Sequence, residues 1–136
     1  AAHFTATHEI AANETYNVVN GDMLIWQDIW ESIALCFGMK AGGNVPMELT
    51  SIMPTHETIW KKVIDKHGLH PLSLEKLIGS SWQFTDRALA YGLETPANSV
   101  LSPIKLHQHG FHGCMDTEDS FRYWIERMQK NRLLPK

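Results

Sequence analysis

Apolar side chains recur at intervals of three and four residues through much of this chain, which is the spacing of one helix face. The clearest stretch follows Ile25, and its apolar positions are Trp26, Ile29, Trp30, Ile33 and Phe37. Polar residues occupy most of the positions between them, so the pattern predicts an amphipathic helix. Gly38 is expected to end this helix, because glycine adopts the left-handed backbone of a helix end without strain.

The same spacing, together with capping residues, predicts further helices. Their expected ranges are residues 1–12, 47–53, 54–67, 72–78, 82–90, 103–108 and 116–130. Ser73 and Asp116 are expected N-caps, and Gly68 is expected to end the helix 54–67. Ser80 or Ser81 is expected to cap the helix 82–90. The predicted buried stripe of the last helix is Phe121, Trp124, Ile125 and Met128.

One stretch carries the pattern of a strand instead. Residues 15–19 are rich in β-branched and aromatic side chains, and the turn Asn20-Gly21-Asp22 follows. A second brief extended piece is predicted at residues 98–101. A lone strand cannot pair its own backbone groups, so we expect another protein surface to supply its partner. The predicted fold class is therefore mostly α with one or two short strands.

Composition and charge exclude several classes of function. The chain has 136 residues, of which 43% are hydrophobic, and this size suits one domain. Its 12 basic and 15 acidic residues give a net charge of -3, so nucleic acid is not an expected partner. Apolar runs are far shorter than the roughly 20 residues of a bilayer-spanning helix, and no signal-peptide head is present. We therefore expect a soluble, cytoplasmic protein without a membrane partner, in which Cys36 and Cys114 are reduced thiols.

The residue types bear on two kinds of chemical site, a nucleotide-cofactor site and a metal site. The sequence has no Gly-rich phosphate-binding turn, and no tyrosine is followed by a Lys four residues later. The tyrosines are Tyr16, Tyr91 and Tyr123. His107, His109 and His112 offer imidazoles, but a zinc site needs about three or four ligands and this spacing matches no known finger. We therefore assign no catalytic residue, cofactor or metal to the chain itself.

Three motifs stand in a characteristic order along the chain. They are residues 15–22 with the following Trp26 and Trp30, Trp82-Gln-Phe84-Thr-Asp86, and His109-Gly-Phe111 with the aromatic-rich helix after it. In this order they resemble the C-terminal part of the extended short-chain dehydrogenase/reductases, in the branch of progesterone 5β-reductase and iridoid synthase. The resemblance spans nearly the whole chain.

The resemblance implies a Rossmann-fold α/β parent protein that binds NADP(H) or NAD(H), with this chain as its C-terminal substrate-binding fragment. Residues 1–22 would be a terminal strand-helix remnant of the nucleotide-binding domain, and residues 23–136 the helical lid and tail. In this family a hydride passes from the nicotinamide to an activated alkene or a carbonyl, and a Tyr with a nearby Lys stabilises the oxyanion. The expected partners are therefore the N-terminal nucleotide-binding domain and a small hydrophobic substrate. No cofactor is expected to bind the chain alone.

The lid motif supplies the candidate substrate-binding residues. Phe84 matches a position whose ring lines the substrate pocket in this branch, and Trp82 and Leu89 are its expected neighbours. Because Trp82 and Phe84 lie two residues apart on a helix, they point in different directions, and one of them is expected to be core. Asp86 is expected to cap or pair locally. The local partners considered for this carboxylate are Arg87 and Lys76.

Three functions fit these observations. The first is the substrate-binding portion of an NAD(P)H-dependent reductase, inactive without its nucleotide-binding half. The second is a non-catalytic helical module that binds a small ligand or a peptide. The third is a fragment of a nucleotide-sugar epimerase or dehydratase, which predicts a cluster of polar and basic pocket residues that the sequence does not show. For the first function, uncovered apolar surface predicts a homo-oligomer.

Overall fold

The computed structural model describes residues 1–43, 45–89 and 100–136, and the regular structure there is helical. The α-helices are α1 (Ala2–Thr7), α2 (Trp26–Leu35), α3 (Leu49–Ile52), α4 (Glu57–His67), α5 (Leu74–Ile78), α6 (Ser81–Ala88), α7 (Ile104–Gln108) and α8 (Thr117–Lys130). Two 3₁₀ helices, Glu9–Ala11 and Met53–His56, follow α1 and α3. None of these helices is long and apolar enough to cross a membrane. The prediction of a mostly helical fold is confirmed.

Local capping chemistry sets several helix ends, as the sequence predicts. The carboxylate of Asp116 accepts a backbone N–H from the first turn of α8 at 2.9 Å, and the Ser73 hydroxyl accepts one from α5 at 3.3 Å. Gly68 ends α4 in the left-handed region with a φ of 61°. The predicted cap of α6 is wrong. Ser80 makes no side-chain capping bond there, and the Ser81 hydroxyl instead donates to a carbonyl of α5 at 2.7 Å.

The predicted strand at residues 15–19 is wrong, because residues 14–20 form neither helix nor strand. A strand needs a neighbouring strand to complete its hydrogen-bond ladder, and none is present among the described residues. Other groups bind this backbone instead. Lys105 Nζ donates to the Thr15 carbonyl at 3.1 Å, and the Met115 N–H donates to the Asn20 carbonyl at 2.8 Å. Of the second predicted strand, residues 98–99 lie outside the described residues, and residues 100–101 are not strand.

The buried apolar side chains of the described residues come from well-separated parts of the sequence. They are Ala11, Ile29, Leu69, Leu74, Leu106 and Ile125. Helix α2 packs against α8, with Ile29 and Ile125 as the buried residues of those two helices, and α3 packs against α6. The core formed by the described residues is therefore small, and its members lie far apart in the sequence.

Hydrogen bonds reinforce the contact between α2 and α8. The Ser32 hydroxyl donates to Glu118 at 2.5 Å, and this bond is the main reason that the pKa of Glu118 lies below its ordinary value. Gln129 Nε2 donates to the Cys36 carbonyl at 3.0 Å. These bonds tie both ends of α8 to α2, so the two helices form one unit.

The tryptophans are less buried than the helical pattern predicts. Trp124 was expected in the buried stripe of α8, but 53% of its surface is exposed and Arg127 lies over its ring. Trp26 packs against Phe121 with ring centroids 5.9 Å apart. The indole N–H of Trp60 donates a hydrogen bond of 2.7 Å to the Leu72 carbonyl, in the loop after α4. An aromatic residue at helical spacing therefore did not identify the core here.

The chain presents a large surface for its mass. Its accessible surface is 10680 Å², whereas a compact monomer of 15.5 kDa exposes about 7200 Å². The most exposed large apolar side chains among the described residues are Met23, Val100, Phe84, Val45 and Leu35. Burial within the chain therefore supplies only part of the stabilisation that its apolar side chains offer.

Candidate functional site

Helix α6 carries two of the three predicted substrate-binding residues, and Leu89 follows it directly. Phe84 exposes 73% of its surface, whereas Trp82 and Leu89 are half-buried. Residues two apart on a helix lie about 200° apart around its axis, so Trp82 and Phe84 face opposite sides. The structure assigns the packed position to Trp82 and the open position to Phe84.

Asp86 has partners that the sequence analysis missed. Its carboxylate accepts the backbone N–H groups of Leu49 and Thr50, both at 2.9 Å, and the Thr50 hydroxyl at 2.6 Å. The bond from the Thr50 hydroxyl is the main reason that the pKa of Asp86 is lowered. The predicted local pairing with Arg87 or Lys76 is therefore wrong. No local spacing signals these bonds, because their partners lie 36 and 37 positions away.

Phe84 lines neither of two surface depressions formed by the described residues. One surface depression is lined by residues of α8 and the C-terminus, and another by residues 22–25, 28 and 29 together with Asp116 and Glu118. Neither depression includes Phe84, Trp82 or Leu89. The open face of α6 can therefore supply one apolar wall of a site, and other groups must complete that site.

The turn Asn20-Gly21-Asp22 binds the start of α8. The Asp22 carboxylate accepts the Thr117 N–H at 2.6 Å and the Thr117 hydroxyl at 2.7 Å, and Asn20 Nδ2 donates to the same hydroxyl at 2.9 Å. The backbone bond from Thr117 is the main cause of the lowered pKa of Asp22. The first and third motifs of the sequence are therefore in direct contact, although some 95 residues separate them.

A side chain at Gly21 would strain this turn, which gives a first testable prediction. Its φ is 103°, and an added Cβ would lie 3.1 Å from the Cβ of Cys114. Gly21→Ala is expected to lower the free energy of unfolding by about 1–3 kcal/mol, through backbone strain and crowding. Urea denaturation measures the change. Gly42→Ala is the control, because no atom lies within 4 Å of its added Cβ, and an equal loss in both variants would contradict the prediction.

A polar cluster links residues 14–16 to α7 and the loop after it. Tyr16 OH and His109 Nδ1 share a hydrogen bond of 2.6 Å, and Lys105 Nζ bonds Glu14 at 2.6 Å. That bond from Lys105 is the main cause of the lowered pKa of Glu14. Lys105 lies over the ring of Tyr16, 5.3 Å from its centroid, and not at the hydroxyl. His109 therefore has a structural partner, and no group of three or more potential metal ligands is found among the described residues.

Four carboxylates with lowered pKa values predict acid sensitivity. They are Glu14, Asp22, Asp86 and Glu118. A depressed pKa contributes stability that is present above the ordinary carboxyl pKa and is lost as the pH falls through the lowered value. The urea concentration at the unfolding midpoint is therefore expected to decrease when the pH is lowered below about 4.5.

Asp22→Asn isolates one of these carboxylates. This variant is expected to have a lower urea midpoint than the wild type at neutral pH and to lose less on acidification. Asp65→Asn, on the exposed side of α4, controls for the loss of one charge. A midpoint that falls as steeply in Asp22→Asn as in the wild type would refute the assignment.

Comparison with known proteins gives relatives named (S)-8-oxocitronellyl enol synthase. No family model matches the chain. An (S)-8-oxocitronellyl enol synthase of Nepeta cataria is 28% identical over 92% of this chain and 31% of the enzyme. Enzymes of the same name from Camptotheca acuminata and Antirrhinum majus are each 30% identical, over 98% and 99% of this chain and 36% and 34% of the enzymes.

These matches cover nearly all of the chain but only part of each relative. The chain spans about a third of the length of the curated relatives that it matches. The resemblance predicted from the three motifs is confirmed. The relatives are named (S)-8-oxocitronellyl enol synthase, which is consistent with the branch of progesterone 5β-reductase and iridoid synthase.

Proposed function

We propose that this chain is the substrate-binding portion of an NAD(P)H-dependent short-chain reductase that acts on a hydrophobic enone or carbonyl compound. The observation that carries the proposal is the similarity of nearly the whole chain to enzymes named (S)-8-oxocitronellyl enol synthase. The open ring of Phe84 supports the same conclusion, because apolar walls with few polar groups suit such a substrate.

The described residues do not fit a nicotinamide cofactor. Tyr16 has no Lys at its hydroxyl, which instead bonds His109, while Lys105 is engaged by Glu14. No helix among the described residues follows a Gly-rich strand-to-helix turn of the kind that holds a pyrophosphate. The cofactor and the groups that stabilise the oxyanion are therefore expected from a nucleotide-binding domain outside this chain.

The contribution of this chain is to bind and orient the substrate. Helix α6 presents Phe84 as an apolar surface, and the bonds of Asp86 fix α6 to α3. A ring in this position would cover one side of an apolar substrate and exclude water from it. Without a second domain, the chain is expected to have no reductase activity of its own.

The proposal is tested by comparing two proteins. The 136-residue chain and the longest product of its gene would each be assayed for NADPH oxidation with citral, an apolar unsaturated aldehyde. Turnover is expected only for a longer product that contains a Gly-rich strand-to-helix turn and a Tyr-x-x-x-Lys motif. Turnover by the 136-residue chain alone would refute the proposal. A gene without either motif would also refute it and would favour the non-catalytic binding module.

A further inference from the structure

We infer that Asp86 is a positioning residue that sets the rotation of α6 and thereby turns Phe84 toward the substrate. The inference rests on the proposed function, because it assumes that Phe84 contacts the substrate. Asp86 itself does not need to contact the substrate, since both of its carboxylate oxygens are engaged by α3.

The first step concerns the start of α3. The opening N–H groups of a helix have no partner within the helix and need an acceptor from elsewhere. Glu48, the residue at the N-cap position, makes no side-chain capping bond. Asp86 supplies the missing acceptor across the fold, because it takes the N–H groups of both Leu49 and Thr50. Hydrogen bonds to an ionised acceptor are the stronger kind, so this contact is well suited to fix one helix against another.

The second step concerns the faces of α6. Trp82 and Asp86 are four residues apart and lie on one side of the helix, whereas Phe84 lies on the opposite side. The observed burial follows this division, since Trp82 and Asp86 are half-buried and Phe84 is exposed. Holding Asp86 against α3 therefore directs the ring of Phe84 away from α3.

The third step concerns the other contacts of α6 among the described residues, where the Ser81 hydroxyl also bonds a carbonyl of α5 at 2.7 Å. The helix has eight residues and no side-chain cap at its N-terminus. The hydroxyl of Thr85 donates to the Ser81 carbonyl within the same helix at 2.7 Å, so this bond does not orient α6 against its surroundings. Contact with α3 is the main packing of α6 among the described residues. Loss of the carboxylate is therefore expected to free the rotation of α6 about its axis. A rotation by one residue position would turn the ring of Phe84 by about 100°.

A double-mutant cycle on the full 136-residue chain tests the inference. Citral is the probe, and its dissociation constant is measured by titration of the backbone amide resonances. Phe84→Ala is expected to weaken binding about tenfold, through the loss of apolar contact. Asp86→Ala is expected to weaken binding by about threefold to tenfold, because the ring remains but is misplaced. The double variant is expected to bind no more weakly than Phe84→Ala, since both changes act through one ring.

Two further variants separate positioning from general destabilisation. Asp86→Asn keeps one acceptor oxygen and is expected to give an intermediate loss of binding. Thr50→Val removes only the hydroxyl donor and is expected to change binding less than Asp86→Ala, in the same direction, which keeps a test available if Asp86→Ala does not fold. Asp65→Ala removes an exposed carboxylate from α4 and is expected to bind citral like the wild type.

The outcomes distinguish the inference from the function on which it rests. Equal binding of citral by Phe84→Ala and the wild type, or no binding by the wild type, overturns the inference, whereas the proposed function is overturned only by the comparison of the two gene products. If Phe84→Ala weakens binding and the double variant shows the full sum of both effects, contact of Phe84 with the substrate is supported and the positioning role of Asp86 is refuted. If Asp86→Ala or Thr50→Val changes the amide shifts of α3 but not citral binding, the positioning role is also refuted.

Discussion

Replacing Leu106 with alanine is expected to lower the free energy of unfolding by about 2–5 kcal/mol. Only 2% of Leu106 is exposed, and it is the buried residue of α7. Single domains are stable by about 5–15 kcal/mol, and the few buried side chains among residues 1–43, 45–89 and 100–136 favour the lower end of that range. A substantial unfolded population is therefore expected at room temperature. Urea denaturation followed by circular dichroism would measure the free energy of unfolding of the wild type and of Leu106→Ala.

Leu101→Ala is the matched control for this prediction. Leu101 is the same residue type in the segment before α7, but 51% of it is exposed. Its replacement is expected to change the free energy of unfolding by less than about 0.5 kcal/mol. Similar losses in the two variants would show that burial of Leu106 does not stabilise the chain.

Helices were predictable from the sequence wherever their ends depend on neighbouring residues. Asp116 and Ser73 bond the N–H groups of the turns that they begin, and Gly68 supplies a left-handed backbone at the end of α4. Each of these interactions spans no more than a few residues, so residue type and spacing suffice to predict them. The failed prediction at α6 has a local cause too, because the Ser81 hydroxyl bonds a carbonyl of α5.

The strand could not be predicted in the same way, because a strand exists only with a partner. Residues 15–19 have the composition of a strand, yet their surroundings here are α7 and the loop before α8. The Lys105 ammonium and the Met115 N–H satisfy carbonyls of residues 15–20 that a strand would otherwise use in a ladder. Whether residues 1–22 belong to a Rossmann domain stays a prediction from the resemblance.

Only part of the candidate site could be predicted from the sequence. The helical period alone shows that Trp82 and Phe84 face opposite sides, but it does not say which one is packed. Asp86 decides this, through bonds to residues 36 and 37 positions away, and such a contact leaves no periodic signal. Leu89 is half-buried at the end of α6, and its predicted contact with the substrate stays a proposal.

Under the proposed function, the exposed surface and the partial match to the relatives have one common explanation. The chain spans about a third of the length of the enzymes that it matches, so those enzymes carry about twice as much protein beside the matching part. In the proposed parent protein, a second domain would cover apolar side chains that are exposed in the chain alone. Surfaces of this kind favour association in water, because burial of apolar area lowers the free energy.

Light scattering on the purified chain is therefore expected to give a mass of at least two copies of the 15.5 kDa chain. Met23 and Ile25, which are 84% and 58% exposed, lie in the apolar run before α2 and are expected to contribute to the contact. Replacing both with lysine is expected to shift the mass toward the monomer without loss of helicity. Thr58→Lys with Gln108→Lys adds the same charge at exposed polar positions and is expected to leave the association unchanged. A wild-type mass of one chain would contradict the prediction. It would show that the exposed apolar side chains do not need a partner that covers them.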